Sequence, residues 1–277
     1  METPTETKSK EMSVALQAAE RACGIIRNHY GQQIERLSKI VSSQALGLVT
    51  QADLDAEKAI IEMIKSHFPE HHFLAEEGHA SQSIDGQLWV IDPIDGTNNF
   101  AHGIPHFSVS IAYSEDGQIK CGVVANPISG EICWAEQGGG AWLGERRVRV
   151  SDEKTLQDTI AVTGFYYDRG AMIDATLTTM RQLFDRNIRG IRRFGSAALD
   201  LCYVGLGRFG GYFEYRLHPW DYAAGKLFVE EAGGRATNCA GAEIGLAPTS
   251  MLATNGHLHS DFLEITKLHD DPKFYTG

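Results

Sequence analysis

The run Leu88 to Phe100, LWVIDPIDGTNNF, restricts this chain more than any other stretch. Leu88 to Ile91 read as a buried strand that delivers Asp92 to its end, and Asp95 follows three residues later. Pro93 fixes φ between the two acids and bends the chain, so both carboxylates can face one mouth. Like charges at that range repel and raise one pKa unless a cation neutralises them. Gly96 lets backbone approach a ligand closely, and Thr97 offers an N–H and a hydroxyl to an anion. Oxygen-only ligands fit a hard cation such as Mg²⁺ or Mn²⁺ better than zinc, and metal ligands beside an anion cradle suggest a metal-bound phosphate. The competing reading of Asp92-Pro-Ile-Asp95 is a solvated turn with an aspartate cap.

Further acids arrive from distant parts of the chain: Asp53 in LVTQAD, Glu76 and Glu77 in FLAEEG, and Asp221 in HPWDYAAG. Each has a plain structural reading. Thr50-x-x-Asp53 fits a capping box, Asp221 sits where a helix dipole favours an acid, and Glu76 or Glu77 suits a solvated loop. Only their combination with Asp92 and Asp95 points to a site.

The remaining features narrow the class. With 277 residues the chain can bury a substantial core, and no repeat or low-complexity tract interrupts it. A formal charge of −11 disfavours nucleic acid or an anionic membrane as the general partner, so a small anionic substrate needs a local positive device. The polar N-terminus METPTETKSKEMS lacks an apolar signal core, and no apolar run approaches a spanning helix, which predicts a cytoplasmic protein. Cys23, Cys121, Cys133, Cys202 and Cys239 form no C-x-x-C pair and read as reduced core residues. The eleven histidines include no H-x-x-x-H pattern, so none is given a metal.

Apolar periodicity predicts a first helix from Ser13 to Tyr30 and a second from Thr50 to Phe68, stopped by Pro69. Strands follow at Phe73–Ala75, Leu88–Ile91, Phe107–Tyr113, Ile119–Val124 and Ile132–Glu136, with turn residues between them, as in an antiparallel meander. After Val150 the pattern alternates: strand near Thr159–Thr163, helix Ala171–Asp185, strand near Ile188, helix from Ser196, strand Gly211–Tyr215, helix from Trp220, strand Met251–Thr254. The expected class is α/β, with an α+β first half (1–150) carrying most ligands and an α/β second half (151–277) carrying Asp221 and the specificity residues. No long linker divides the halves, so a site in the crevice between them is expected.

In order and approximate spacing, LVTQADLDAE, FLAEEG, WVIDPIDGTNNF, GSAALDLCYVGLGRFGGYFE and HPWDYAAGKLFVEEAGG resemble the inositol monophosphatase family over nearly the whole chain. That resemblance implies a layered αβαβα sandwich and a metal-dependent phosphatase of sugar and inositol phosphates, often lithium-sensitive and homodimeric. It implies one Mg²⁺ held by Glu76, Asp92 and the carbonyl of Ile94, and a second held by Asp92, Asp95 and Asp221, with a third, weaker ion by Glu76. Asp53, Glu76 and Thr97 form the implied catalytic set, Asp53 and Thr97 orienting the attacking water, while Glu77 stands behind the ligands. Gly96 and Thr97 would cradle phosphate, and Asp95, Ala197, Glu214 and Asp221 would contact substrate hydroxyls. The implied partner is a small phosphorylated polyol, with inositol monophosphate first and histidinol phosphate, fructose 1,6-bisphosphate and 3′-phosphoadenosine 5′-phosphate as alternatives. A regulatory protein on the same fold is the alternative from another class. The chain departs from many relatives at Ser42-Ser-Gln-Ala-Leu-Gly47, where they carry a lysine and an acid, which leaves third-ion binding open.

Two other stretches carry signals of their own. Cys202-x5-Arg208 has the spacing of a cysteine phosphatase loop, but Leu199, Cys202, Tyr203 and Leu206 read as a buried helix face, so the thiol is rejected as nucleophile. The basic stretch Arg186 to Arg193 reads as a solvated strand edge, or, if Arg192 or Arg193 meets a second phosphate, as the mark of a bisphosphate substrate.

Overall fold

The computed structural model describes residues 8–32, 37–42, 45–78 and 85–275. The chain opens with helix α1 (Lys10–His29), hairpin β1 (Leu37–Ser42) and β2 (Ala45–Val49), and helix α2 (Gln51–His67). Strands β3 (His72–Ala75) and β4 (Gln87–Asp95), the short helix α3 (Thr97–Ala101), then β5 (Ser108–Glu115), β6 (Gln118–Ala125), β7 (Ile132–Glu136), β8 (Gly140–Leu143) and β9 (Arg146–Val148) complete the first part. The rest is β10 (Ile160–Thr163), α4 (Ala171–Asp185), β11 (Gly190–Arg192), α5 (Ala197–Gly205), β12 (Gly211–Leu217), α6 (Pro219–Glu231), β13 (Arg235–Thr237), β14 (Thr249–Thr254) and α7 (His259–Thr266).

β3 to β9 form a seven-stranded sheet in sequence order, parallel only between β3 and β4. The five-stranded sheet runs β11-β10-β12-β14-β13, with β10 parallel to both neighbours and β14 antiparallel to both of its own. Strand alternation in β4 shows how the layers stack. Trp89 and Ile91 face α1 and α2, packing with Met12, Ile26, Ile60 and Ile64. Leu88 and Val90 face the other way, onto Ala198, Cys202, Ala224 and Leu227 of α5 and α6. The far side of those helices, Leu201, Val204, Tyr222 and Val229, meets Val162, Tyr212 and Met251 of the second sheet. Met172 and Leu183 of α4 and Phe262 of α7 cover its outer face. The layers are therefore helix, sheet, helix, sheet, helix, as the resemblance implied.

The helix starts are chemically specified. Ser9 Oγ accepts the Met12 N–H at 3.0 Å to open α1, and Thr50 with Asp53 forms the capping box of α2. Strands β1, β2 and β13 and helix α7 escaped the sequence reading, which took Lys39 to Ser43 only as a connection. The meander expected to end at Glu136 also continues through β8 and β9. The Ser42–Gly47 departure falls outside the described side chains.

Candidate metal centre and active site

Residues three apart in a regular strand point to opposite faces. Asp92 pairs with Ser110 and Asp95 with Ser108, so three steps along β4 match two along β5. The extra residue is a β-bulge at Pro93-Ile94, where a missing N–H costs the ladder nothing, and it turns Asp95 back to the face of Asp92. The sequence reading ended the strand at Ile91 and credited the proline with a bend; the strand instead runs on to Asp95 through the bulge.

Asp95 also holds the start of α5. Its Oδ2 accepts from Ser196 Oγ at 2.5 Å and Ala198 N at 2.8 Å, and its Oδ1 from Ala197 N at 3.2 Å. Burial raises its pKa against these three donors, which lower it. Asp221 lies in the first turn of α6, its Oδ2 accepting the His218 N–H at 2.7 Å in a capping box. The small residues after it explain the helix's position: a Cβ on Gly225 would lie 2.7 Å from the Leu201 Cβ of α5. Burial raises the Asp221 carboxyl well above its ordinary range, with Glu76 and Asp95 adding repulsion.

Asp92, Asp95 and Asp221 each place a carboxylate oxygen within 4.8 Å of the others. Asp92 is 1% exposed. Two buried acids and a half-buried third so close together are stable as anions only beside positive charge, and their all-oxygen donor set suits a hard divalent cation. The residues present thus fit the implied metal. Glu76 lines the same cavity without joining this group of three. The loop carrying it is held from α2, where the buried Glu57 accepts the Glu77 N–H at 2.8 Å. Nothing in the local sequence marks Glu57 for this contact.

Gly96, at φ +97°, turns the chain from β4 into α3. Thr97 Oγ1 then lies 3.2 Å from Asp53 Oδ1 and 3.0 Å from the Ile94 carbonyl. Asp53 is fully buried; its other oxygen accepts the Thr50 N–H at 2.7 Å, so one carboxylate caps α2 and meets Thr97. Burial pushes Asp53 up to about 6, although bonds from Thr50 and Thr97 oppose the shift.

A cavity of about 300 Å³ opens beside these groups, near the lower end of the range for small-ligand sites. Of the residues nominated from sequence, Glu76, Asp92, Ile94, Asp95, Gly96, Thr97, Ala197, Glu214 and Asp221 line it, while Asp53 stands behind Thr97. Glu214 accepts the Tyr212 hydroxyl at 2.6 Å, and burial pushes it up to about 8. Its carboxylate occupies the space that a side chain at Gly164 would fill. Sequence reasoning missed Phe165, Tyr166 and Tyr167, which lie outside the quoted motifs, and Asp200, which lies within GSAALDLCY but was given no role; all four line the cavity. Arg193 reaches the cavity, whereas Arg192 is exposed on edge strand β11. All five cysteines are buried and unbridged, and burial pushes the Cys202 thiol well up, which excludes it as a ready nucleophile.

Residues 8–270 match the sequence profile of the inositol monophosphatase family. The chain belongs to this family. The protein named Inositol-1-monophosphatase in Rhizobium meliloti is 39% identical over 259 residues, covering 93% of this chain and 96% of that one. The protein named Nus factor SuhB in Haemophilus influenzae is 42% identical over 227 residues, 80% of this chain and 83% of that one. The solved structure of the Thermotoga maritima IMPase superposes with a TM-score of 0.85 at 34% identity, over 94% of this chain and 98% of that chain. Among the described residues no helix is long and apolar enough to cross a membrane.

Proposed function

We propose that this inositol monophosphatase family member is a Mg²⁺-dependent phosphomonoesterase of small polyol phosphates, with inositol monophosphate as its leading substrate. The observation that carries this reading is the meeting of Asp92, Asp95 and Asp221 beside Gly96 and Thr97 in one cavity. Asp92, Asp95 and Asp221 would hold one ion, and Asp92, Glu76 and the Ile94 carbonyl another, with a third by Glu76. Bound there, the ions would supply an acidified water and charge stabilisation for in-line displacement at phosphorus.

The chain's own residues do the rest. The Thr97 hydroxyl has one proton for two acceptors in reach, Asp53 and the Ile94 carbonyl. Donating it to Asp53 leaves the Thr97 lone pairs to accept from the attacking water, which orients the water oxygen. Burial, which pushes the Asp53 pKa up to about 6, brings it closer to the value suited to receiving a proton at neutral pH. Gly96 and Thr97 present amides to phosphate. Ala197, Glu214, Asp95 and Asp221 face the alcohol, and the Tyr212 bond fixes the orientation of Glu214.

Two or three ions per site, lithium sensitivity and a homodimer rest on the family resemblance, and a cytoplasmic location completes the reading. Phosphate release from inositol monophosphate, histidinol phosphate, fructose 1,6-bisphosphate and 3′-phosphoadenosine 5′-phosphate, with Mg²⁺ and with chelator, tests it. Asp92→Asn should lose about 10²–10³-fold or more in kcat; near-wild-type turnover would refute the metal assignment. A second reading, a regulatory protein on this fold, is favoured by the relatives named Nus factor SuhB. It gains if the protein binds metal but releases no phosphate from any of the four esters.

A further inference from the structure

Asn99 lies behind the cavity wall, 7% exposed, four residues after Asp95. Its side-chain nitrogen donates to the His106 carbonyl and to the Phe194 carbonyl, each at 2.7 Å. The first bond ties α3 to the chain entering β5; the second reaches across to the segment before α5. Two bonds from one amide group use both of its N–H donors, so the side chain is fully committed at two backbone points.

The segments it joins are the two that face the reacting groups. Gly96 at φ +97° and Gly195 at φ +96° pack back to back: a Cβ on Gly96 would sit 3.0 Å from the Gly195 carbonyl and 3.2 Å from that of His106. A Cβ on Gly195 would sit 3.2 Å from the Asn99 amide nitrogen. Gly96 and Thr97 line the cavity on one side of this junction, and Gly195, Ser196 and Ala197 on the other. The 194–198 segment is thus gripped twice from the same stretch of chain, by Asn99 at Phe194 and by Asp95 at Ser196, Ala197 and Ala198. Asp95 holds the segment by accepting, Asn99 by donating, and Gly96 and Thr97 lie between the two.

We propose that Asn99 is a positioning residue: its double bond to His106 and Phe194 sets the separation of the Gly96–Thr97 cradle from the Gly195–Ala197 wall, and so the alignment of phosphorus with the alcohol. This rests on the phosphatase reading for its catalytic consequence. An amide is suited to the task because both of its targets are carbonyls, and an acid of equal shape has no donor to offer when ionised. Loss of the clamp leaves the phosphate-binding groups and the metal ligands in place but lets the two walls drift.

The test compares Asn99→Ala and Asn99→Asp with wild type in the full chain with Mg²⁺. A misplacement near 1 Å can cost on the order of 10²-fold, so kcat for inositol monophosphate should fall by about that factor. The KM and the inhibition constant of inorganic phosphate, which read binding at the cradle, should stay within about threefold. Amide hydrogen exchange at Ala197 and Ala198, whose N–H groups Asp95 holds, should speed up about tenfold or more, while amides in the middle of α1 keep their protection. Equal losses in kcat, KM and phosphate inhibition with a lowered Tm would mean that Asn99 only supports the fold, and would overturn the proposal. So would unchanged exchange at Ala197 and Ala198. If neither variant folds, Asn99→Ser, which keeps one short donor, carries the same comparison. If wild type hydrolyses none of the esters, the phosphatase reading fails, and exchange at Ala197 and Ala198 still decides whether the clamp exists.

Discussion

The two walls of the cavity are made in different ways. One is continuous chain: a single bulge puts Asp92 and Asp95 on one face, and Gly96 and Thr97 follow at once. The other is assembled from separate places, the 164–167 loop, the segment from Arg193 to Ala197, Glu214 on β12 and Asp221 on α6. A continuous wall keeps its geometry through local backbone constraints. An assembled wall keeps it only through packing, which is why small residues such as Gly164 and Gly225 occur where elements press together. On the proposed reading the difference goes with a partial division of labour: Thr97 and Asp92 lie on the continuous wall, Ala197 and Glu214, which would face the alcohol, on the assembled one, and Asp95 and Asp221 would serve both roles.

Substitutions can break this division. The largest effect in this series is expected at Thr97. Thr97→Ala removes the hydroxyl that joins Asp53 to the water position and should lower kcat by about 10²-fold or more on every substrate. Thr97→Ser, keeping the hydroxyl, should recover most of it. If Thr97→Ala instead reorders preference among esters while sparing kcat on some of them, the continuous wall does not hold the chemistry.

Next comes the assembled wall. A Cβ at Gly164 would displace the Glu214 carboxylate, so Gly164→Ala should mimic Glu214→Gln. Both should change the ratio of kcat/KM between inositol monophosphate and a smaller ester by about tenfold, a hydrogen-bond-sized effect, with little change in inhibition by inorganic phosphate. A uniform fall on all esters would remove the proposed distinction. Overpacking should also cost Gly164→Ala about 1–3 kcal/mol, readable as a lowered Tm.

A smaller effect is expected far from the cavity. His259 is 2% exposed, between the hydroxyls of Thr237 at 3.0 Å and Thr254 at 3.1 Å, and burial lowers its pKa to about 4, with Arg235 adding to the shift. The folded protein therefore binds this proton less readily than the unfolded chain, so its contribution is complete above the ordinary pKa of about 6.5 and declines as pH falls toward 4. The limiting slope is about 1.4 kcal/mol per pH unit. Asp53, with its raised pKa, acts in the opposite sense, losing its contribution as pH rises through about 6. Comparing Tm from pH 4 to 7 in wild type and His259→Gln isolates the histidine: the variant should show a shallower acid loss, and a parallel pair of curves would contradict the assignment. The smallest catalytic effect is expected for Cys202→Ala. Its kcat/KM should match wild type, because the thiol is buried in the α5 core rather than at the reacting centre.

Much of this protein was readable before its coordinates. Pattern and capping chemistry located α1, α2, α4, α5 and α6 and most strands, because amphipathic periods and Thr50-x-x-Asp53 are local statements. The short β13 and α7 escaped, since elements of that length have little stability of their own. Asp53 and Asp221 each cap a helix, as their plain reading held; Asp221 also lines the cavity, and Asp53 meets it through Thr97.

Sequence alone determined that acids at 53, 76, 92, 95 and 221 were available in the company of Gly96 and Thr97, and the family motif they spell. Only the tertiary structure decided how they meet. The bulge that returns Asp95 to the face of Asp92 is a matter of register with β5, which a single strand does not encode. Bringing Asp221 within 4.8 Å of them depends on α6 lying between two sheets, and closing the wall depends on Asn99 and Asp95 gripping a segment about a hundred residues away. Contacts at that range depend on packing, so no local pattern could announce them.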